Sequence, residues 1–161
     1  DLAHYPSNAG NKGTEKIKEM MRQFPDVIFH CDETNVSHAE NMKRISECDV
    51  YIELFAPLQR GKPYGSFGVT AFEAAAMRKI VITNCAHENV YKSAYGNHQM
   101  AIANTEKEFK FHVSALKNHS YETIKLLQHS AREWIVEKHS YQATGNYLKS
   151  LFLSYDSASA K

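Results

Sequence analysis

The sequence predicts an α/β fold: a parallel sheet with helices on both faces, closed by a helical C-terminal tail. Short runs rich in β-branched and aromatic residues, at 27–31, 48–55 and 79–83, alternate with stretches whose apolar residues recur at helical spacing. That alternation implies right-handed crossovers between parallel strands. Loops dense in glycine, asparagine and proline follow the strands, and from Thr105 onward the pattern is helical. At 161 residues the chain fits one domain. That domain is expected over 1–155, with 156–161 as a frayed tail.

Taken in order, Leu2, Ala3, His4 and Tyr5 end a short strand that Pro6 cuts off. Loop 7–13 is made of turn formers. Thr14 is an N-cap for a helix carrying Ile17, Met20, Met21 and Phe24, which Pro25 stops. The strand 27–31 follows. Ser37 and Glu40 form a capping-box pattern ahead of Ala39, Met42 and Ile45. The strand 48–55 leads into a polar loop at 57–63. Two glycines, Gly65 and Gly68, precede a small-residue helix, and the strand 79–83 follows it. A loop is expected over 84–95 and a weaker last strand over 100–104. Phe109, Val113 and Leu116 make one helical stripe, and Ile124, Leu127, Ala131, Trp134 and Ile135 a second. Tyr141, Leu148, Leu151, Phe152 and Tyr155 suggest a last helix.

Composition narrows the function classes. Hydrophobic content of 43% and charged content of 23% are those of a soluble globular protein. A net charge of +1 gives no electrostatic argument for nucleic acid or an anionic membrane. No apolar run approaches the roughly 18 residues of a membrane span, and no signal peptide opens the chain. Cys31, Cys48 and Cys85 are odd in number and never in a C-x-x-C pair, which fits a reducing, cytoplasmic setting. Nine histidines are present without zinc-ligand spacing, so no metal is expected. The chain starts at Asp1 without a methionine and is expected to be a piece of something larger.

In a parallel sheet ligands bind outside the carboxyl ends of the strands. The loops 6–13, 32–36, 56–68 and 84–95 fall there. Gly65 and Gly68 allow backbone N–H groups to approach a ligand closely, and a helix opening at Gly68 would aim its positive end at a phosphate. Glu73 lies a turn and a half inside that helix, too deep to cap it, and is either exposed or placed for ligand hydroxyls. Lys12, with Gly13 and Thr14, could neutralise a diphosphate; a solvated loop lysine is the plain alternative. The Gly-Ser-Phe-Gly turn is neither a Walker loop nor a dinucleotide fingerprint. A tight turn before a close-packed alanine helix is its plain alternative. His4, His38 and His87 fall near the same edge, as does Glu88, which could reach a sugar.

Together these segments resemble the C-terminal, donor-binding half of GT-B glycosyltransferases, in the large retaining family (family 4, glycosyl transferases group 1) that includes sucrose and mannosyl transferases. The resembling residues are Pro6-Ser7-Asn8 through Lys12-Gly13-Thr14, and Ser46-Glu47-Cys48-Asp49-Val50-Tyr51-Ile52. The main match is Tyr64-Gly65-Ser66-Phe67-Gly68-Val69-Thr70-Ala71-Phe72-Glu73-Ala74-Ala75-Ala76-Met77, followed by Lys79-Ile80-Val81-Ile82-Thr83. The resemblance covers roughly 1–104 and implies a Rossmann-like domain, half of a two-domain enzyme.

It also implies a site. Glu73 would hold ribose hydroxyls, Lys12 the donor diphosphate, and Phe67, Gly68 and Val69 would lie along the nucleotide-sugar, with Gly13, Gly65 and Ser66 beside them. Asn8, His87 and Glu88 are weaker candidates. The implied activity is retaining transfer from a UDP-, GDP- or ADP-sugar, without cofactor or metal. The acceptor, a glycan, lipid or protein, would be bound by an absent N-terminal half, so this piece alone is expected to be inactive. Lipid-linked acceptors would bring peripheral membrane association, though neither a basic patch nor a strong amphipathic helix argues for it. Two positions depart from the family pattern. Gly65 stands where the first glutamate of the family's E-x7-E motif belongs, and Ser7 stands where many members carry arginine. A sugar-nucleotide 2-epimerase of the same fold, and a degenerate non-catalytic module binding a nucleotide or a partner protein, are the competing readings.

Overall fold

Leu2–His4 (β1) pairs in parallel with Phe29–Cys31 (β2) on one side and with Val50–Leu54 (β3) on the other. β3 continues the sheet to Ile80–Thr83 (β6), and β6 to Ala101–Ile102 (β7), giving the order β2-β1-β3-β6-β7. The computed structural model describes residues 1–159, the side chains of 154–159 excepted. The expected Rossmann-like α/β sheet is therefore present. The chain leaves β1 in one direction for β2 and in the other for β3, β6 and β7. That reversal makes the carboxyl ends of β1 and β3 the topological switch point, where such sheets bind ligands.

Alternation along the strands builds a core on each face. Leu2, Val50, Ile52, Ile80 and Ile82 pack against Ile17, Met20 and Met21 of Thr14–Met21 (α2) and Phe109 and Val113 of Glu106–Asn118 (α6). Ala3, Tyr51 and Val81 face Ile45 of His38–Ser46 (α3), Ala71, Ala74 and Ala75 of Val69–Ala76 (α4), and Ala131, Trp134 and Ile135 of Tyr121–His139 (α7). β3 is buried along its whole length, as a strand covered on both faces must be. The alanines of α4 let it lie close to the sheet and to α7.

Three loops hold more structure than their composition suggests. Ala9–Lys12 (α1) is a single turn whose N-cap Asn8 accepts from the Asn11 N–H at 2.9 Å. Its four residues are too few to show a periodicity. Loop 57–63 folds into a hairpin of Leu58–Gln59 (β4) and Lys62–Pro63 (β5). The expected loop 84–95 contains the helix Glu88–Tyr95 (α5), whose Glu88 and Lys92 pair one turn apart at 2.7 Å. The strand expected over 27–31 is shorter because Val27 is drawn into a turn, its N–H donating to the Phe24 carbonyl at 3.0 Å.

The last helix, Tyr141–Ser159 (α8), leans on α7. The tail expected at 156–161 ends in residues 160 and 161, which lie outside the described residues, as does the side chain of Tyr155. No described helix is long and apolar enough to cross a membrane.

Candidate functional site

A cleft of about 270 Å³ opens at the switch point. Tyr5, Pro6 and Ser7 after β1 form one wall, with Lys12 at the end of α1. Thr34, Asn35 and Val36 lead into α3, which adds His38 and Asn41. Tyr51 and Glu53 of β3 and Thr70 of α4 complete the lining.

Glu53 is the residue that local sequence reasoning missed. It stands at a register shift: Ile52 pairs with Ile82 and Leu54 with Thr83, so two residues of β3 oppose one of β6. A bulge of this kind re-aims a side chain, and bulges gather beside active sites. The carboxylate is 1% exposed; Oε1 accepts from Lys12 Nζ, while Oε2 is buried with no hydrogen-bond partner. Burial pushes the Glu53 carboxyl above its usual range, Lys12 pulls it back, and Glu73 adds to the rise. Tyr51, next on the same face, is held neutral, first by burial and then by the Glu53 charge. Its hydroxyl donates to the Tyr5 carbonyl at 3.3 Å. The available signal was an acid inside an otherwise apolar strand, since a lone glutamate is almost never fully buried without a partner.

Lys12 is brought to the cleft by the turn after β1. Gly13 ends α1 with φ 69°, and a Cβ there would collide with the Phe55 backbone carbonyl. The Phe55 N–H donates to the Lys12 carbonyl at 3.0 Å, so the lysine is tied to the end of β3 from both sides. His4 is structural. Its Nδ1 donates to the Ile52 carbonyl at 2.7 Å, which leaves Nε2 to accept from Thr14 Oγ1 at 2.9 Å. Burial lowers its pKa to about 4, so the ring is neutral and joins β1, β3 and α2.

The glycine turn lies partly away from the cleft. Gly68 is the N-cap of α4, and a Cβ on it would run into the Glu53 carboxylate. The positive end of that helix thus already has an anion beside it. Phe67 is buried among Tyr91 and His98, at 4.2 and 4.9 Å between ring centroids. Val69 and Ser66 are exposed. Gly65 has φ 102°, its carbonyl accepts from the Ala86 N–H at 3.0 Å, and any Cβ would strike Asn84. Glu73 accepts from His38 Nε2 at 2.8 Å, joining α4 to α3 at the rim of the cleft. Asn8, His87 and Glu88 are outside the lining: Asn8 caps α1, His87 precedes α5, and Glu88 pairs with Lys92. Among the described residues no group of three or more His, Cys, Asp or Glu side chains is placed to hold a metal ion.

Comparison with known proteins corrects one expectation. No protein-family model matches the chain, and no curated protein matches it. Among solved structures, a CMP N-glycosidase of Clostridium botulinum, BcmB, matches with a TM-score of 0.41 and 19% identity, over 72% of this chain and 99% of that chain. The resemblance to GT-B glycosyltransferases therefore does not stand as a family assignment, since no family model supports it. The fold accounts for the misleading match. The Gly65–Glu73 pattern meets local needs, with Gly65 seated against Asn84, alanines close-packed in α4, and Glu73 bonded to His38.

Proposed function

We propose that the cleft between β1 and β3 binds a nucleoside phosphate, with Lys12 taking the phosphate and the polar wall of Thr34, Asn35, His38 and Asn41 meeting the nucleoside. One observation carries the reading: the cleft stands at the switch point of a 2-1-3 parallel sheet and, among its described lining residues, presents the lysine Lys12 beside a buried acid. Its volume suits a ligand of nucleoside size, and its lining mixes aromatic walls with convergent polar groups. Titration of the chain with CMP, UDP, GDP and ADP, followed by calorimetry and NMR, tests it. Saturable binding that Lys12→Met weakens at least tenfold is the expected result. Folded protein that takes none of them at millimolar concentration overturns it. Repeating the titration with UDP-glucose and GDP-mannose asks whether the nucleotide carries a sugar.

We further propose that the site is an enzyme's and acts on the glycosyl part of its nucleotide. What supports this is Glu53: a carboxyl whose proton is held high by burial is suited to give that proton to the leaving group of a glycosidic bond as a general acid. Product analysis after prolonged incubation with each bound nucleotide, wild type against Glu53→Gln, tests it. Unchanged nucleotide in both samples refutes the activity while leaving the binding intact.

A further inference from the structure

We propose that a phosphate engaging Lys12 drives a proton from solvent onto Glu53, so that ligand binding and proton uptake are one event. The bound state then presents Glu53 to the cleft as a carboxylic acid, a hydrogen-bond donor. The inference rests on the nucleoside-phosphate reading above.

The argument is electrostatic and geometric. Glu53 is 1% exposed, so its charge is not solvated; its one ionic partner is Lys12 Nζ, and Oε2 has no partner at all. The pair is neutral as it stands. A phosphate on Lys12 brings negative charge against a buried carboxylate, and two anions sharing one cation in a low-dielectric site cannot both stay ionised. The group whose charge is least solvated takes the proton.

Among the described residues no other charged side chain relieves the repulsion, and the partial positive charge at the start of α4 is already set against Glu53, so the two anions must share it. From α4, Glu73 adds a further negative charge, with His38 of α3 bonded to its far side. From β3, Tyr51 is a buried neutral phenol, and from β1, His4 is a neutral imidazole with both nitrogens committed. Gly68 closes the remaining side without room for a side chain. Burial already holds the Glu53 proton affinity above the usual carboxylate range, which favours uptake.

Calorimetry of UDP, CMP and GDP binding at pH 7.5 in PIPES and in Tris, buffers of different ionisation enthalpy, reads the proton directly. Wild type is expected to take up a large fraction of one proton per site. Glu53→Gln is expected to bind without that uptake, and His87→Gln, outside the cleft, to keep it. Should Glu53→Gln fail to fold, the infrared difference spectrum of wild type on adding nucleotide serves instead, through the carbonyl stretch of a newly protonated carboxyl. Binding with equal heats in both buffers and no such band overturns the inference and leaves the nucleotide reading intact, as does uptake that persists in Glu53→Gln. Absence of any binding overturns both.

Discussion

Lys12 and Glu53, 41 residues apart, form an ion pair where β3 slips register against β6. The lysine reaches it from a four-residue helix tied to β3 through the Phe55 N–H, and the glutamate reaches it because the bulge turns its side chain toward α4. The pair is a structural constraint that also lines the cleft, so stability and ligand binding must be measured separately.

Removing the lysine strands a buried charge. Lys12→Met is expected to cost about 3 kcal/mol at neutral pH, the lower end of the range for breaking a buried pair because Lys12 is itself partly exposed. Without Lys12 the folded-state pKa of Glu53 rises further above its unfolded value near 4.5. For an acid shifted upward, stability is full at low pH and is lost as pH rises through the folded pKa. The deficit of Lys12→Met should therefore be larger at pH 8 than at pH 5, and Glu53→Gln in the same chain should erase most of it. Urea unfolding of the four chains of this cycle measures both effects; a deficit independent of pH would mean that Glu53 is not the group left exposed to the loss.

Gly68 is confined by the same carboxylate. Its φ is −77°, so alanine is acceptable to the backbone and only the contact with Glu53 opposes it. Gly68→Ala is expected to destabilise by about 1–3 kcal/mol, the usual cost of overpacking. Glu53→Ala in the same chain should restore part of the loss, a coupling that thermal unfolding of single and double variants would measure. Simple additivity of the two substitutions would place the Glu53 side chain elsewhere.

His4 makes the fold sensitive to mild acid. Its folded pKa is about 4 against an ordinary histidine value of 6.5, so the unfolded chain binds the proton first as pH falls. The neutral ring's contribution is fully present above pH 6.5 and is lost between 6.5 and 4. A shift of that size corresponds to about 3 kcal/mol. Denaturant unfolding at pH 7 and pH 4.5 should show this loss in wild type, and His4→Gln should lack that portion of the slope. Equal slopes in the two chains would remove His4 as the cause.

Much of the frame was legible in the sequence, because it depends on local pattern. The runs through Val50 and Ile52 and through Ile80 and Ile82, the Ser37 cap and the stripe through Ala131 and Trp134 each declare their element without knowledge of the rest. The carboxyl-end rule also located the edge on which the cleft lies. What could not be read is long-range. The bulge at Glu53 exists only in the pairing of β3 with β6, and the meeting of Lys12 with Glu53 depends on how loop 6–13 returns to the sheet. Glu73 was legible as an unusual acid in a small-residue helix, but its partner His38 comes from α3, 35 residues away. The glycine turn misled for the same reason: Gly65 and Asn84 share no local pattern, yet their contact explains why that position has no side chain.

That contact yields the last prediction. The glycosyltransferase pattern expected from the sequence has a glutamate at this position, and Gly65→Glu would supply it. The geometry opposes any side chain there. At φ 102° an L-residue is strained, and its Cβ would meet the Asn84 side chain, which itself donates to the Tyr64 carbonyl at 2.6 Å and accepts from the Ala56 N–H at 2.7 Å. Gly65→Glu and Gly65→Ala should both lose at least about 2 kcal/mol, since strain at a special backbone conformation and a broken buried hydrogen-bond network act together. The two variants should also be similarly destabilised, because the loss is set by the Cβ and not by the carboxylate. Thermal unfolding of both chains, with nucleotide titration of whatever remains folded, measures this. A Gly65→Glu chain as stable as wild type would show that the turn can open, and that the Asn84 contact is not what excludes a side chain from position 65.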